Sequence, residues 1–166
     1  MGQAEDSQHN SESAREFVRA FYDWYVPLTH KRLRETTSDI ALRERRRAFG
    51  PLLFRALKED SEAQDAAKEL VVGLDFDPFL NTQDPCEGYR LGGVSKKGDV
   101  YRVEVYEVCP DRTQREELAV IAEAGLRNGR WVFLNFYYPD LVKDYPDSAD
   151  LLAILKKLRE DREKPR

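Results

Sequence analysis

Asp75, Asp77 and Asp84, with the amides Asn81 and Gln83, fall within one thirteen-residue stretch, Gly73-Leu-Asp-Phe-Asp-Pro-Phe-Leu-Asn-Thr-Gln-Asp-Pro85. Carboxylates and amides at this density can hold a hard cation, bind a polar ligand, or supply a general base. Two prolines and a glycine keep the segment from being one regular helix or strand. Leu74, Phe76, Phe79 and Leu80 are interleaved with the polar groups, so the segment reads as a packed loop. Rigid scaffolds place working groups on such loops. The spacing does not fit a calcium-binding EF-hand, because Phe79 occupies the third ligand position and no glycine follows it. No metal site or cofactor is therefore assigned. Asp and Asn also cap turns through their own oxygens, which leaves these groups as loop caps or as ligand contacts.

Other residues could complete a site. Tyr22, Trp24, Tyr25, Tyr137 and Tyr138 can line an apolar pocket with polar tips or simply form the core. Asn135 stands mid-strand among Leu134, Phe136 and Tyr137, and a polar group there needs a partner from a loop backbone or a ligand. The candidate ligand-binding set is Asp75, Asp77, Asn81, Gln83, Asp84, Tyr22, Tyr25, Asn135 and Tyr137. No Gly-x-Ser-x-Gly, His-Glu-x-x-His or phosphate-binding glycine loop is present, so no catalytic residue is assigned. His30, beside Lys31 and Arg32, reads as a surface residue rather than a general base.

The elements that must position these groups are legible from periodicity. Ser13-Ala-Arg-Glu16 has the form of a capping box, and Phe17, Phe21 and Trp24 follow with helical spacing up to Pro27. Ser38-Asp39 can cap a second helix reaching Phe49, Leu52 to Lys58 a third, and Ser61 can cap a further piece over Glu62 to Val72. The period then changes to two, with Tyr101, Val103 and Val105 alternating with Arg102 and Glu104. Arg127-Asn-Gly-Arg130 is a type I′ hairpin signal. It places Leu118, Val120, Ala122, Ala124 and Leu126 on one face with Trp131, Phe133, Asn135 and Tyr137. Leu151, Ile154, Leu155 and Leu158 form the stripe of a last helix. This order predicts an α+β fold: N-terminal helices packed on a curved antiparallel sheet of about four strands, with a C-terminal helix. Residues 13–160 are expected to form a single domain between disordered tails at 1–12 and 161–166.

Cys86 and Cys109 are too far apart for a Cys-x-x-Cys motif. If Lys97-Gly98 were a two-residue hairpin loop, the two cysteines would face each other across the strands, within reach of a disulfide. A bulged turn would break that register, and two buried thiols are the alternative. A bridge would imply an oxidising compartment.

Composition excludes other classes. The 166-residue chain has 27 Lys and Arg against 31 Asp and Glu, a net charge of −4, which disfavours nucleic-acid binding. No apolar run approaches the length of a membrane-spanning helix. The N-terminus lacks the apolar core of a signal peptide. Met1-Gly2 could replace a removed signal, or be a native cytosolic start.

The helix Phe17-Val-Arg-Ala-Phe-Tyr-Asp-Trp-Tyr-Val-Pro27, the loop Leu74–Pro85, the strand Tyr101-Arg-Val-Glu-Val-Tyr106 and Trp131-Val-Phe-Leu-Asn135 resemble the bacterial family called domain of unknown function 3828, over roughly positions 14 to 158. Asp-Pro-Phe and Gln-Asp are the most specific pieces. The resemblance implies an exported or lipid-anchored bacterial protein with a fold similar to the cone-shaped nuclear transport factor 2-like (cystatin-like) architecture, and no activity. The expectation is a non-catalytic, periplasmic or secreted binding domain for a small molecule or protein. Its surface would come from the first helix, the Asp75–Asp84 loop and the last strand. A cytoplasmic location is the alternative compartment. The alternative function is a small acid–base enzyme of isomerase or dehydratase type, with Asp75 or Asp77 as base and a tyrosine as donor.

Overall fold

Alternation along Val100–Val108 puts Tyr101, Val103 and Val105 in the interior, while Arg102, Glu104 and Tyr106 stay half-buried on the opposite face. A strand so patterned needs an apolar cover on one side, and the N-terminal helices supply it. The computed structural model describes residues 2–165. Its helices are α1 (Gly2–Thr29), α2 (Thr37–Glu44), α3 (Pro51–Ala67) and α4 (Leu151–Glu163). Its strands are β1 (Gly88–Lys97), β2 (Val100–Val108), β3 (Glu116–Arg127) and β4 (Arg130–Tyr137). They form one antiparallel sheet in the order β1-β2-β3-β4. The chain is an α+β domain with a C-terminal helix.

α1 lays Val18, Phe21, Tyr22 and Tyr25 against the sheet. Phe21 is its centre, with ring centroids 5.2 Å from Tyr25, 5.5 Å from Phe79 and 4.9 Å from Phe133. Burying each such ring contributes about 2 kcal/mol. Phe79 and Leu80 are fully buried, so the Gly73–Pro85 loop is anchored in the core rather than laid over it.

Helix boundaries differ from the sequence reading in ways that packing explains. α1 continues back to Gly2, through the stretch expected to be a tail. Ser13 is therefore inside the helix, and its Oγ accepts a hydrogen bond from Trp131 Nε1 at 2.8 Å instead of capping. Pro27 lies within the last turn of α1 rather than ending it. α2 is capped by Thr36, whose Oγ1 accepts from Asp39 N at 3.3 Å. It stops at Glu44, and a 3₁₀ turn covers Arg46–Ala48. α3 runs unbroken through Ser61 because good helix formers surround it, and Ser61 Oγ donates to Asp39 Oδ1 at 2.6 Å. α4 reaches Glu163, and Arg162, expected in a tail, is instead tied to Asp60.

Three β-bulges decide which side chains face the core. In β1–β2, Gly98-Asp99 is the turn and Lys97 pairs with Val100. The extra residue at Gly92–Gly93, opposite Glu104, then shifts the register. The predicted Lys97-Gly98 turn is thus corrected by one residue. β3–β4 keeps the predicted Arg127–Arg130 turn, with Asn128 and Gly129 both at positive φ, as a type I′ turn requires. Leu134 is bulged out, however, so Phe136 joins Phe133 in the core. Asn135 and Tyr137 consequently lie opposite Glu123 and Ile121 on the other face, not beside Phe133 as predicted.

Candidate ligand-binding site

The Gly73–Pro85 loop is held at its start by helix side chains, at its middle by helix side chains and Tyr138, and at its far end by a disulfide. At its start, Gln64 Oε1 accepts from Val72 N and Gly73 N at 2.9 and 3.0 Å. Asp60 Oδ2 accepts from Leu74 N at 2.8 Å, and its Oδ1 accepts from Arg162 of α4 at 2.6 Å. A Cβ at position 73 would sit 2.7 Å from Asp60 Oδ2, so this close approach requires glycine. At its far end, Cys86 is disulfide-bonded to Cys109, with Cα atoms 5.3 Å apart. Both cysteines lie just outside the paired strand positions, so the bridge forms without the register that predicted it.

Asp77 organises the middle. Its Oδ1 accepts from Phe79 N at 2.9 Å and Leu80 N at 3.2 Å, and its Oδ2 accepts from the Tyr25 hydroxyl at 2.7 Å. Tyr22 donates to Phe79 O at 2.6 Å, and Tyr138 to Pro78 O at 2.7 Å. Three buried tyrosines thus hang the loop from α1 and from the residue after β4. Asn81 closes the turn at φ 55°, a left-handed conformation that asparagine tolerates, and its Nδ2 donates to Ala119 O and Asp140 Oδ1.

The electrostatics single out Asp77. Burial pushes its carboxyl up to about 6, although the Tyr25 hydroxyl and the amides of Phe79 and Leu80 all favour the ionised form. Among the described residues no cation offsets the desolvation. Burial and the Asp77 charge drive the Tyr22 and Tyr25 hydroxyls well above the ordinary tyrosine range.

Asp77 lines a cavity of about 500 Å³ between the end of α1, α2, α3 and the loop. The walls include Thr37, Asp39, Leu57, Asp60, Ser61 and Gln64 from the helices, and Asp75, Phe76, Thr82 and Gln83 from the loop. Five of the lining residues are aspartates and none is Lys, Arg or His. Among the described residues, the one group of three or more His, Cys, Asp or Glu with ligating atoms within 4.8 Å of one another is Cys86, Glu107 and Cys109. Two of those sulfurs form the disulfide. The cavity carboxylates are thus spaced around a wall and do not converge on one point.

The sequence-predicted set divides accordingly. Asp75, Asp77 and Gln83 line the cavity. Asp84 and Asn81 serve the loop's own turns: Asp84 N bonds Thr82 Oγ1 at 3.1 Å. Tyr22 and Tyr25 are in the core behind the loop. Asn135 donates to Asp150 Oδ1 at 2.9 Å and accepts from Phe136 N and Leu152 N, so it joins β4 to the start of α4. Tyr137 lies beneath the Arg102 guanidinium, 4.2 Å from its ring centroid. His30 Nε2 sits 3.2 Å from Cys86 O. The last strand contributes nothing to the cavity, and α2 and α3 take its place. Asp60 and Gln64 were the readable sign, because they continue the Leu53–Leu57 stripe of α3 with polar groups that a buried face must satisfy.

No family model, curated protein or solved structure matches the chain. What the site defines is therefore a class by geometry alone: a small α+β domain with an acidic, ligand-sized cavity under an anchored loop.

Proposed function

We propose that this is a non-catalytic binding domain that takes a small polar molecule with a cationic group in the cavity beside Asp77. The observation that carries the reading is the combination of volume and charge: about 500 Å³, within the range of ligand pockets, around a desolvated carboxylate that no cation among the described residues neutralises. A ligand ammonium within hydrogen-bond reach of Asp77 would supply the missing counter-charge. A titration of ¹⁵N-labelled protein with 1,5-diaminopentane tests this. Saturable shifts centred on the amides of Asp77, Phe79 and Leu80, lost in Asp77→Asn, are expected. Shifts scattered over the surface would sink it.

Acid–base catalysis at Asp77 is the second reading, favoured by a carboxyl near 6 in a cavity. Tyr25 already donates a hydrogen bond to that carboxyl, so it serves as a positioning group rather than a free acid. Turnover of a bound compound, abolished in Asp77→Asn with folding intact, would replace binding by catalysis.

The Cys86–Cys109 bridge supports an exported protein, periplasmic or secreted, since such bonds persist in oxidising compartments. Among the described residues no helix is long and apolar enough to cross a membrane. The resemblance to the domain of unknown function 3828 family, with its cone-shaped fold, accords with helices packed on one antiparallel sheet. Alkylation of freshly isolated native protein under denaturing conditions checks the compartment. Two alkylated thiols without reductant would argue for the cytosol.

A further inference from the structure

A second cavity of about 430 Å³ adjoins the one beside Asp77, and the two share Thr36, Asp39, Leu42, Ser61 and Asp65 in their walls. Their charge differs. The inner cavity has no basic lining residue, whereas Arg34, Arg43 and Lys58 border the outer one. Arg43 is engaged by Glu35 and Glu44, and Lys58 lies 3.6 Å from Glu62. Among the described residues, Arg34 has no such acidic partner. The two cavity walls therefore carry, at one end, a half-buried carboxylate without a cation and, at the other, an exposed guanidinium without an anion.

We propose that the two cavities form one groove for a zwitterion, an amino acid or short peptide with free termini, whose ammonium meets Asp77 and whose carboxylate meets Arg34. This rests on the reading of the inner cavity as a ligand site. Each end matches its group chemically. An ammonium replaces the water that Asp77 has lost with a charge-assisted hydrogen bond. A guanidinium offers a carboxylate two parallel donors. Between them, Leu42 provides an apolar contact, and Ser61 Oγ, whose proton goes to Asp39, can accept from a ligand N–H. The combined room of the two cavities, about 500 and about 430 Å³, suits a short peptide better than a single residue.

Calorimetric titration with tri-alanine, its N-acetyl form, its C-terminal amide, free alanine and 1,5-diaminopentane tests the proposal. Tri-alanine is expected to bind saturably, the acetylated form at least tenfold more weakly, and the amide several-fold more weakly. Alanine matching tri-alanine would assign the groove to free amino acids, keeping the zwitterion and rejecting the peptide. Arg34→Ala, at an exposed position, should weaken tri-alanine several-fold yet leave its amide unchanged. Equal binding of acetylated and free tripeptide, or no effect of Arg34→Ala, overturns the zwitterion. If the diamine binds more tightly than tri-alanine and loses affinity in Asp77→Asn, the zwitterion fails while the cavity reading stands. No binding of any probe overturns both.

Discussion

Asp60 and Asp77 hold the same loop in opposite electrostatic styles. Asp60 is buried and gives one oxygen to Leu74 N and the other to Arg162, so its charge is matched where it sits. Asp77 also spends both oxygens, but on two amides and a phenol, and among the described residues no cation stands beside it. Hydrogen bonds alone do not offset the desolvation, and its carboxyl rises to about 6. The first arrangement is a finished structural joint. The second is a joint that also presents an unmatched charge to a cavity, and that difference separates scaffold from candidate site within one thirteen-residue loop.

Breaking the finished joint should have the largest effect. Asp60→Ala leaves Arg162 charged and largely buried, with side-chain exposure of 17%, and strands Leu74 N. We expect a loss of about 3–5 kcal/mol in urea unfolding. Asp60→Asn with Arg162→Met removes both charges while keeping an acceptor for Leu74, and should recover most of that stability. If the double variant is as unstable as Asp60→Ala, the pair is not acting through its charges.

Removing the disulfide comes next. Closing a loop with a sequence separation of 23 contributes about 3 kcal/mol on the chain-entropy account. Cys86→Ala with Cys109→Ala should lower the urea midpoint correspondingly, and equal midpoints would show that the loop end is held by packing alone.

Asp77 sharpens the comparison through pH. The folded protein keeps this proton up to about 6, whereas an unfolded carboxyl releases it near its ordinary value of about 4. The associated stability is thus present in full below about pH 4 and lost as pH rises to about 6, up to about 3 kcal/mol. Asp77→Asn carries no such proton, so the stability difference between wild type and variant should change across that window and stay flat above it. A difference that does not vary with pH would place Asp77 with Asp60 as a neutralised anchor.

The smallest change is Tyr25→Phe. It removes the strongest of the hydrogen bonds that favour ionised Asp77, so the carboxyl should rise above 6, with a stability loss of about 1 kcal/mol. An unchanged Asp77 titration would show that the hydroxyl is not a donor to it in solution.

Much of the architecture is legible in the sequence alone. The change of hydrophobic period after Pro85 separates helices from strands, and the Asn128-Gly129 turn lies where its residue types demand. Phe76 and Phe79 marked the loop as packed, and Phe79 is fully buried. Register was less readable, because a single extra residue at Leu134 exchanges core and outer faces. Nothing in the local pattern of Trp131–Tyr138 announces it, so the sequence pattern assigns Asn135 and Tyr137 to a pocket whose walls they do not form. The helical wall of the cavity is only half legible: the polar continuation of the α3 stripe at Asp60 and Gln64 says that partners are needed, but not which. Asp39, Asp60, Ser61 and Gln64 meet the loop only through packing of α2 and α3, and spacing within one element does not encode that meeting.

The most direct test is a ¹³C-detected NMR titration of the Asp77 side-chain carboxyl in the wild-type protein. A midpoint near 6 is the predicted result, and it would establish a desolvated, uncompensated carboxylate at the cavity wall. A midpoint at or below 4 would mean that the loop hydrogen bonds fully neutralise the cost of burial, leaving Asp77 a structural cap and the cavity without its anchor.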